Sequence, residues 1–109
     1  MKPEVFDVVE LLEDMPARNL KLGMQGTILE DYGTAYEVEF ADDHGATIEM
    51  LALKPDQFVV VWRSVTQSWL PVSDQVAAIV EQLPDDRRKQ VFEYARSLWS
   101  QNKLEKALQ

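Results

Sequence analysis

Between Ala35 and Phe40 apolar and acidic residues alternate one for one after the first position. This spacing of two predicts a strand that puts Tyr36, Val38 and Phe40 on one face and Glu37 and Glu39 on the other. Asp42-Asp43-His44-Gly45 follows and reads as a hairpin loop, since Asp side chains bond nearby backbone and Gly takes the left-handed position. Thr47 to Ala52 is then the returning strand. Lys54-Pro55-Asp56-Gln57 makes one tight turn before Phe58-Val59-Val60-Val61-Trp62, a continuous apolar run of strand length. Upstream, Gly23 and Gly26 precede Thr27-Ile28-Leu29-Glu30, a second strand, with glycines where positive φ or close backbone approach is required. The run from Val5 to Leu12 follows neither period. Its Val and Phe content, its short length and the stop at Met15-Pro16 favour a strand. Five short strands separated by turns predict a strongly bent sheet that closes on itself, because closure removes exposed edges.

Beyond Arg63 the period changes. Residues 63–72 read as a polar connector, although Val65, Trp69 and Leu70 are too apolar for a free linker, and Trp69 is expected to pack. Ser73 is placed to cap a helix whose apolar stripe is Val76, Ala77, Ile79, Val80 and Leu83. Pro84 breaks it. Asp85 and Asp86 then lie where the positive end of a helix dipole favours acids, and Arg87, Arg88 and Lys89 follow within a turn. Val91, Phe92, Tyr94, Ala95, Leu98 and Trp99 recur at three- and four-residue spacing, the strongest helical signal in the chain. The predicted class is therefore α+β: a small SH3-like five-stranded β-barrel over residues 1–62, a connector over 63–72, and a C-terminal α-helical hairpin over 73–109.

Charge divides along the same line. Residues 1–62 hold 13 acids against 4 bases, whereas residues 63–109 hold 6 acids against 7 bases, giving the whole chain a net charge of −8. An acidic first half repels phosphate backbones, whose affinity for proteins rests on Lys and Arg, so nucleic acid is disfavoured as its partner. Either the acids serve solubility or they form a surface complementary to a basic protein. Arg87, Arg88 and Lys89 form the one basic cluster, and Asp85 and Asp86 blunt its field. With 109 residues and no cysteine, the chain is sized for one small domain with a helical appendage, and a reducing, cytoplasmic setting is expected. No apolar run approaches the length of a membrane span, and the N-terminus lacks the features of a secretory signal.

Candidate chemistry is sparse. His44 lies in an Asp-Asp-His-Gly turn, where consecutive turn formers read as a solvated loop rather than as metal ligands. Phosphate-loop, zinc-protease and nucleophile-elbow motifs are absent from the sequence. Glu37 and Glu39 share a strand face but have no helper base and no evident cleft, so they read as the wet face of the sheet. No enzymatic activity and no cofactor are expected. The three tryptophans, Trp62, Trp69 and Trp99, either line the seam between barrel and helices or stand at a binding surface, where Trp is enriched.

The segments FDVVELLEDMP, GMQGTILEDYG, AYEVEF and LALKPDQFVVV together resemble a bacterial family of short proteins, frequent in cyanobacteria, known as a domain of unknown function. The resemblance covers residues 4–62 and implies an SH3-like barrel, with no catalytic residues to carry over. Members encoded beside small toxin-like genes suggest an antitoxin or immunity role. Residues 73–102, with an apolar helix, Leu83-Pro84 and a helix of paired apolar and aromatic positions, are similar to the helical hairpin of small bacterial antitoxin-like proteins. Tyr94-Ala95-Arg96 departs from the usual aromatic and acidic run there. The expected function is a non-enzymatic protein-binding module that neutralises a toxin-like partner. Glu37, Glu39, Asp42 and Asp43 would meet the partner from the barrel, and Tyr94, Leu98 and Trp99 from the helices. The alternative is an assembly protein that homodimerises through its C-terminal helices.

Overall fold

The first three strands bury alternate side chains, whereas the fourth buries only its last, Leu53. In the computed structural model, which describes residues 2–108, β1 is Val8–Leu11, β2 Gln25–Asp31, β3 Tyr36–Ala41, β4 Thr47–Leu53 and β5 Phe58–Arg63. All five expected strands are present, and β3 buries Tyr36, Val38 and Phe40 while Glu37 and Glu39 lie half-buried on the other face. A sixth strand, β6 at Ser68–Trp69, lies within residues 63–72 and pairs antiparallel with β5, so the sheet has six strands where five were expected. Its two residues are too short for any period to show.

The strands form one open antiparallel sheet in the order β4-β3-β2-β1-β5-β6, so the first strand in sequence lies inside the sheet. Register shifts between Val8 and Val9, Ile28 and Glu30, and Phe40 and Ala41 interrupt the ladders. Such bulges bend strands and sharpen their twist. Val9, Leu11, Ile28, Val38, Phe40, Leu53 and Phe58 meet in the core, joined by Tyr36, whose ring stands edge-on to Phe58 at 5.7 Å. Leu20 joins them from the long β1–β2 loop. A short 3-10 turn, Pro16–Arg18, ends there at left-handed Asn19, and Met15 and Leu20 exchange backbone hydrogen bonds across it. Gly26 is required on β2 because a Cβ there would stand 2.7 Å from Val38 Cγ1 and 2.9 Å from the Glu39 carbonyl oxygen.

Two helices follow: α1 at Val72–Gln82 and α2 at Asp85–Ala107. Ser73 lies inside α1 rather than capping it, since the Pro71 carbonyl already accepts from the N–H groups of Asp74 and Gln75. Pro84, extended at φ −69° and ψ 164°, separates the helices as its missing N–H predicts. The Arg88 guanidinium donates to the carbonyls of Val80 and Glu81 at 2.9 and 2.8 Å, closing the C-terminal end of α1. The chain divides into two compact units, residues 1–76 and 77–109. Among the described residues no helix is long and apolar enough to cross a membrane.

Candidate functional surfaces

The acidic residues singled out on β3 lie on its outward face, set there by the alternation itself. Glu37 faces Glu30 on β2 and Ala52 on β4; Glu39 faces Thr27 and Met50. Glu39 accepts a 2.6 Å hydrogen bond from the Thr47 hydroxyl, and Glu37 a 3.3 Å bond from the Tyr32 phenol. Partial burial and the nearby carboxylates of Glu37 and Glu30 push that phenol above its ordinary value. Asp42 and Asp43 are exposed in the β3–β4 loop. The Asp42 carboxylate accepts from the backbone N–H groups of His44 and Ala46 at 2.9 Å each, so it shapes the turn while contributing charge. The register adds an apolar rim. Met50, Glu39, Thr27, Val8, Trp62 and Trp69 form a transverse row across all six strands, and Met50 and Trp69 are exposed. Trp69 thus pairs with Trp62 on an edge strand but remains largely exposed, against the expectation that it packs.

Tyr94, Leu98 and Trp99 are brought together on α2, 64%, 49% and 66% exposed, and Phe92 is 62% exposed beside them. The Arg96 guanidinium lies over the Phe92 ring at 5.3 Å from its centroid. Neither helix contains a buried residue. The acidic set and the aromatic set belong to separate compact units.

The sequence reading missed the most enclosed polar group. Asp7 is fully buried and its carboxylate accepts from Arg63 at 2.6 Å, from the Glu4 N–H at 2.9 Å, and from the Ser64 N–H and hydroxyl at 2.9 and 3.0 Å. Burial pushes its carboxyl up. The hydrogen bonds from Ser64, Glu4 and Arg63 outweigh that and hold it below the ordinary carboxylate value. Arg63 also donates to the Lys2 carbonyl at 2.8 Å and the Ser64 hydroxyl to the Val5 carbonyl at 3.0 Å, so this cluster clasps residues 2–7 to the end of β5. Inside the clasped segment Phe6 takes φ 72°, a conformation disfavoured for a bulky side chain, with its ring 63% exposed. No local pattern announces such a pair, because its members lie far apart in sequence. A depression of about 370 Å³ is lined by Asp14, Pro16, Asn19, Leu20 and Lys21, and the Asp14 carboxylate there accepts from the Leu22 N–H.

Residues 5–60, just over half the chain and all of β1 to β4, match the model of a family described as domain of unknown function DUF4926. The chain belongs to the DUF4926 family. The match begins just before β1 and ends within β5, before β6 and the helices, so this member of the family carries its exposed aromatic helix outside the matched segment. No curated protein and no solved structure matches the chain.

Proposed function

We propose that this DUF4926 protein is a non-enzymatic protein-binding module, an antitoxin- or immunity-type protein that neutralises a toxin-like partner. The observation that carries the reading is the surface of α2, where Phe92, Tyr94, Leu98 and Trp99 are each about half to two-thirds exposed. A helix normally gains its stability by burying its apolar face, and a helix of 23 residues is only modestly stable by itself. A protein surface is the natural cover for such a face, because Trp and Tyr give large contact area and dominate binding energy. The charge of the sheet supports a basic partner: residues 1–76 hold 14 acids against 5 bases, and Glu37 and Glu39 share one face. The strand order β4-β3-β2-β1-β5, its bulges and the 3-10 turn at Pro55–Gln57 support an SH3-like barrel as the underlying scaffold. The toxin-like identity of the partner rests on the similarity of residues 73–102 to antitoxin helices.

The test is light scattering of the chain mixed with the product of the neighbouring gene. A saturable complex is expected, weakened by Leu98→Asp or Trp99→Asp and made less salt-sensitive by replacing Glu37, Glu39, Asp42 and Asp43 with their amides. Absence of a saturable complex, or one indifferent to both sets of substitutions, overturns the reading.

A further inference from the structure

We propose that the occupant of the α2 face is a second copy of this chain, paired antiparallel through α2. The inference rests on the reading of α2 as a protein contact and gives that face to a second copy, which leaves the acidic sheet face of Glu37 and Glu39 for a toxin-like partner. Val91, Tyr94, Ala95, Leu98, Trp99 and Asn102 recur at three- and four-residue spacing and none of them is charged, so the stripe meets its own image without repulsion. The rest of the charge pattern directs self-association to this place. Residues 77–109 hold 5 acids against 6 bases and are close to neutral, whereas residues 1–76 carry an excess of nine acids and repel a second copy. Antiparallel pairing suits α2 itself, because it sets the positive N-terminal end of each helix dipole beside the negative C-terminal end of the other. The two N-terminal ends, each carrying Asp85 and Asp86, are then held roughly 34 Å apart along the 23-residue helix, at 1.5 Å per residue, several Debye lengths at physiological salt.

The side chains fit a two-fold axis between Arg96 and Ser97. That register sets Ala95 of one copy against Leu98 of the other, small against large, and Val91 against Asn102. A single polar Asn in such a seam favours one register over others. The area is of the right order. With aromatic side chains burying about 150–250 Å² each, Tyr94 and Trp99 at roughly two-thirds exposure plus half-exposed Leu98 put on the order of 350 Å² of apolar surface in each stripe. A standard interface covers about 800 Å² per partner, and the polar flanks of the helix supply the remainder.

Sedimentation or light scattering of the full chain from about 1 to 200 µM tests this, with those limits bracketing the micromolar affinity of a modest interface. The expected mass is twice the chain's 12.5 kDa, falling to the single-chain value in Leu98→Asp and, independently, in Trp99→Asp, both with the sheet's circular dichroism retained. Because the chain has no cysteine, Ser97→Cys and Lys106→Cys accept one spin label each. Antiparallel pairing brings the labels close at 97 and separates them by about 28 Å along the axis at 106. A single-chain mass throughout, a dimer that survives both Asp variants, or equal label distances at 97 and 106 overturns the proposal. If a monomeric parent binds the neighbouring gene's product and Leu98→Asp abolishes that binding, the second copy is overturned and the protein-contact reading stands. If that binding is indifferent to both Asp variants, both fall.

Discussion

Asp7 and Arg63 are 56 positions apart and share one buried ion pair. Removing one partner of such a pair leaves an uncompensated charge in the interior, a loss of about 3–5 kcal/mol. Asp7→Ala is therefore expected to lower the urea midpoint sharply at pH 7, read by tryptophan fluorescence. The folded pKa of Asp7 lies below its ordinary 3.8, so its contribution is present above that value and is lost as pH falls through the lowered folded value. The gap between parent and Asp7→Ala should accordingly be wide at pH 7 and narrow towards pH 2. A constant gap across that window would show that Asp7 acts by packing alone. Gly26→Ala should cost roughly 1–3 kcal/mol, since the new methyl meets both a side chain and a backbone carbonyl of β3. Phe6→Gly should run the other way, gaining about 1 kcal/mol by releasing a left-handed non-glycine residue, in the same denaturation assay. Gly26 was legible as a close approach before a strand, and Gly23 at φ 91° as a turn former. The Asp7 clasp was not, because pairing between distant charges leaves no period for a reader of sequence to find.

Among the elements, legibility followed the length and regularity of the pattern. The one-for-one alternation from Tyr36 to Phe40 specified both the strand and its buried face, and the three-and-four spacing from Val91 to Trp99 specified α2. β6 escaped notice because Ser64, Thr66, Gln67 and Ser68 read as linker, and its hairpin closes through Gln67 at φ 51°, a conformation that glycine would have advertised. Arg88 illustrates a role assigned too locally. Within the basic cluster it looked like one more solvated charge at a helix start, whereas its guanidinium closes the last carbonyls of the preceding helix. Arg88→Ala is expected to lower helical circular dichroism and to destabilise the end of α1 by about 1 kcal/mol, the net value of a hydrogen bond or two at a surface. Lys89→Ala, one position on, serves as the control and should leave the helical signal unchanged. The candidate site divided in the same way: the face of Glu37 and Glu39 was readable from alternation, while the Trp62–Trp69 pairing needed the register of a strand that sequence did not reveal.

At the scale of the molecule, every buried hydrophobic residue of the core cluster falls between Val9 and Phe58. A chain ending after Leu83 is therefore expected to keep its sheet and its cooperative melting, with the midpoint within a few degrees of the parent. Loss of the transition in that truncation would mean that α2 is needed for the sheet to persist. The strand order carries a different consequence, for the order of assembly during synthesis. β1 emerges first but lies between β2 and β5, and the acid that anchors its leading end waits for a guanidinium encoded 56 residues later. Until Arg63 and Ser64 leave the ribosome, the nascent sheet has one open ladder at its centre and a carboxylate without its cation, so folding cannot complete piecemeal from the N-terminus. The β2–β3–β4 meander can form early from local contacts, and closure of β5 onto β1 is the late, long-range step that commits the chain to its final state.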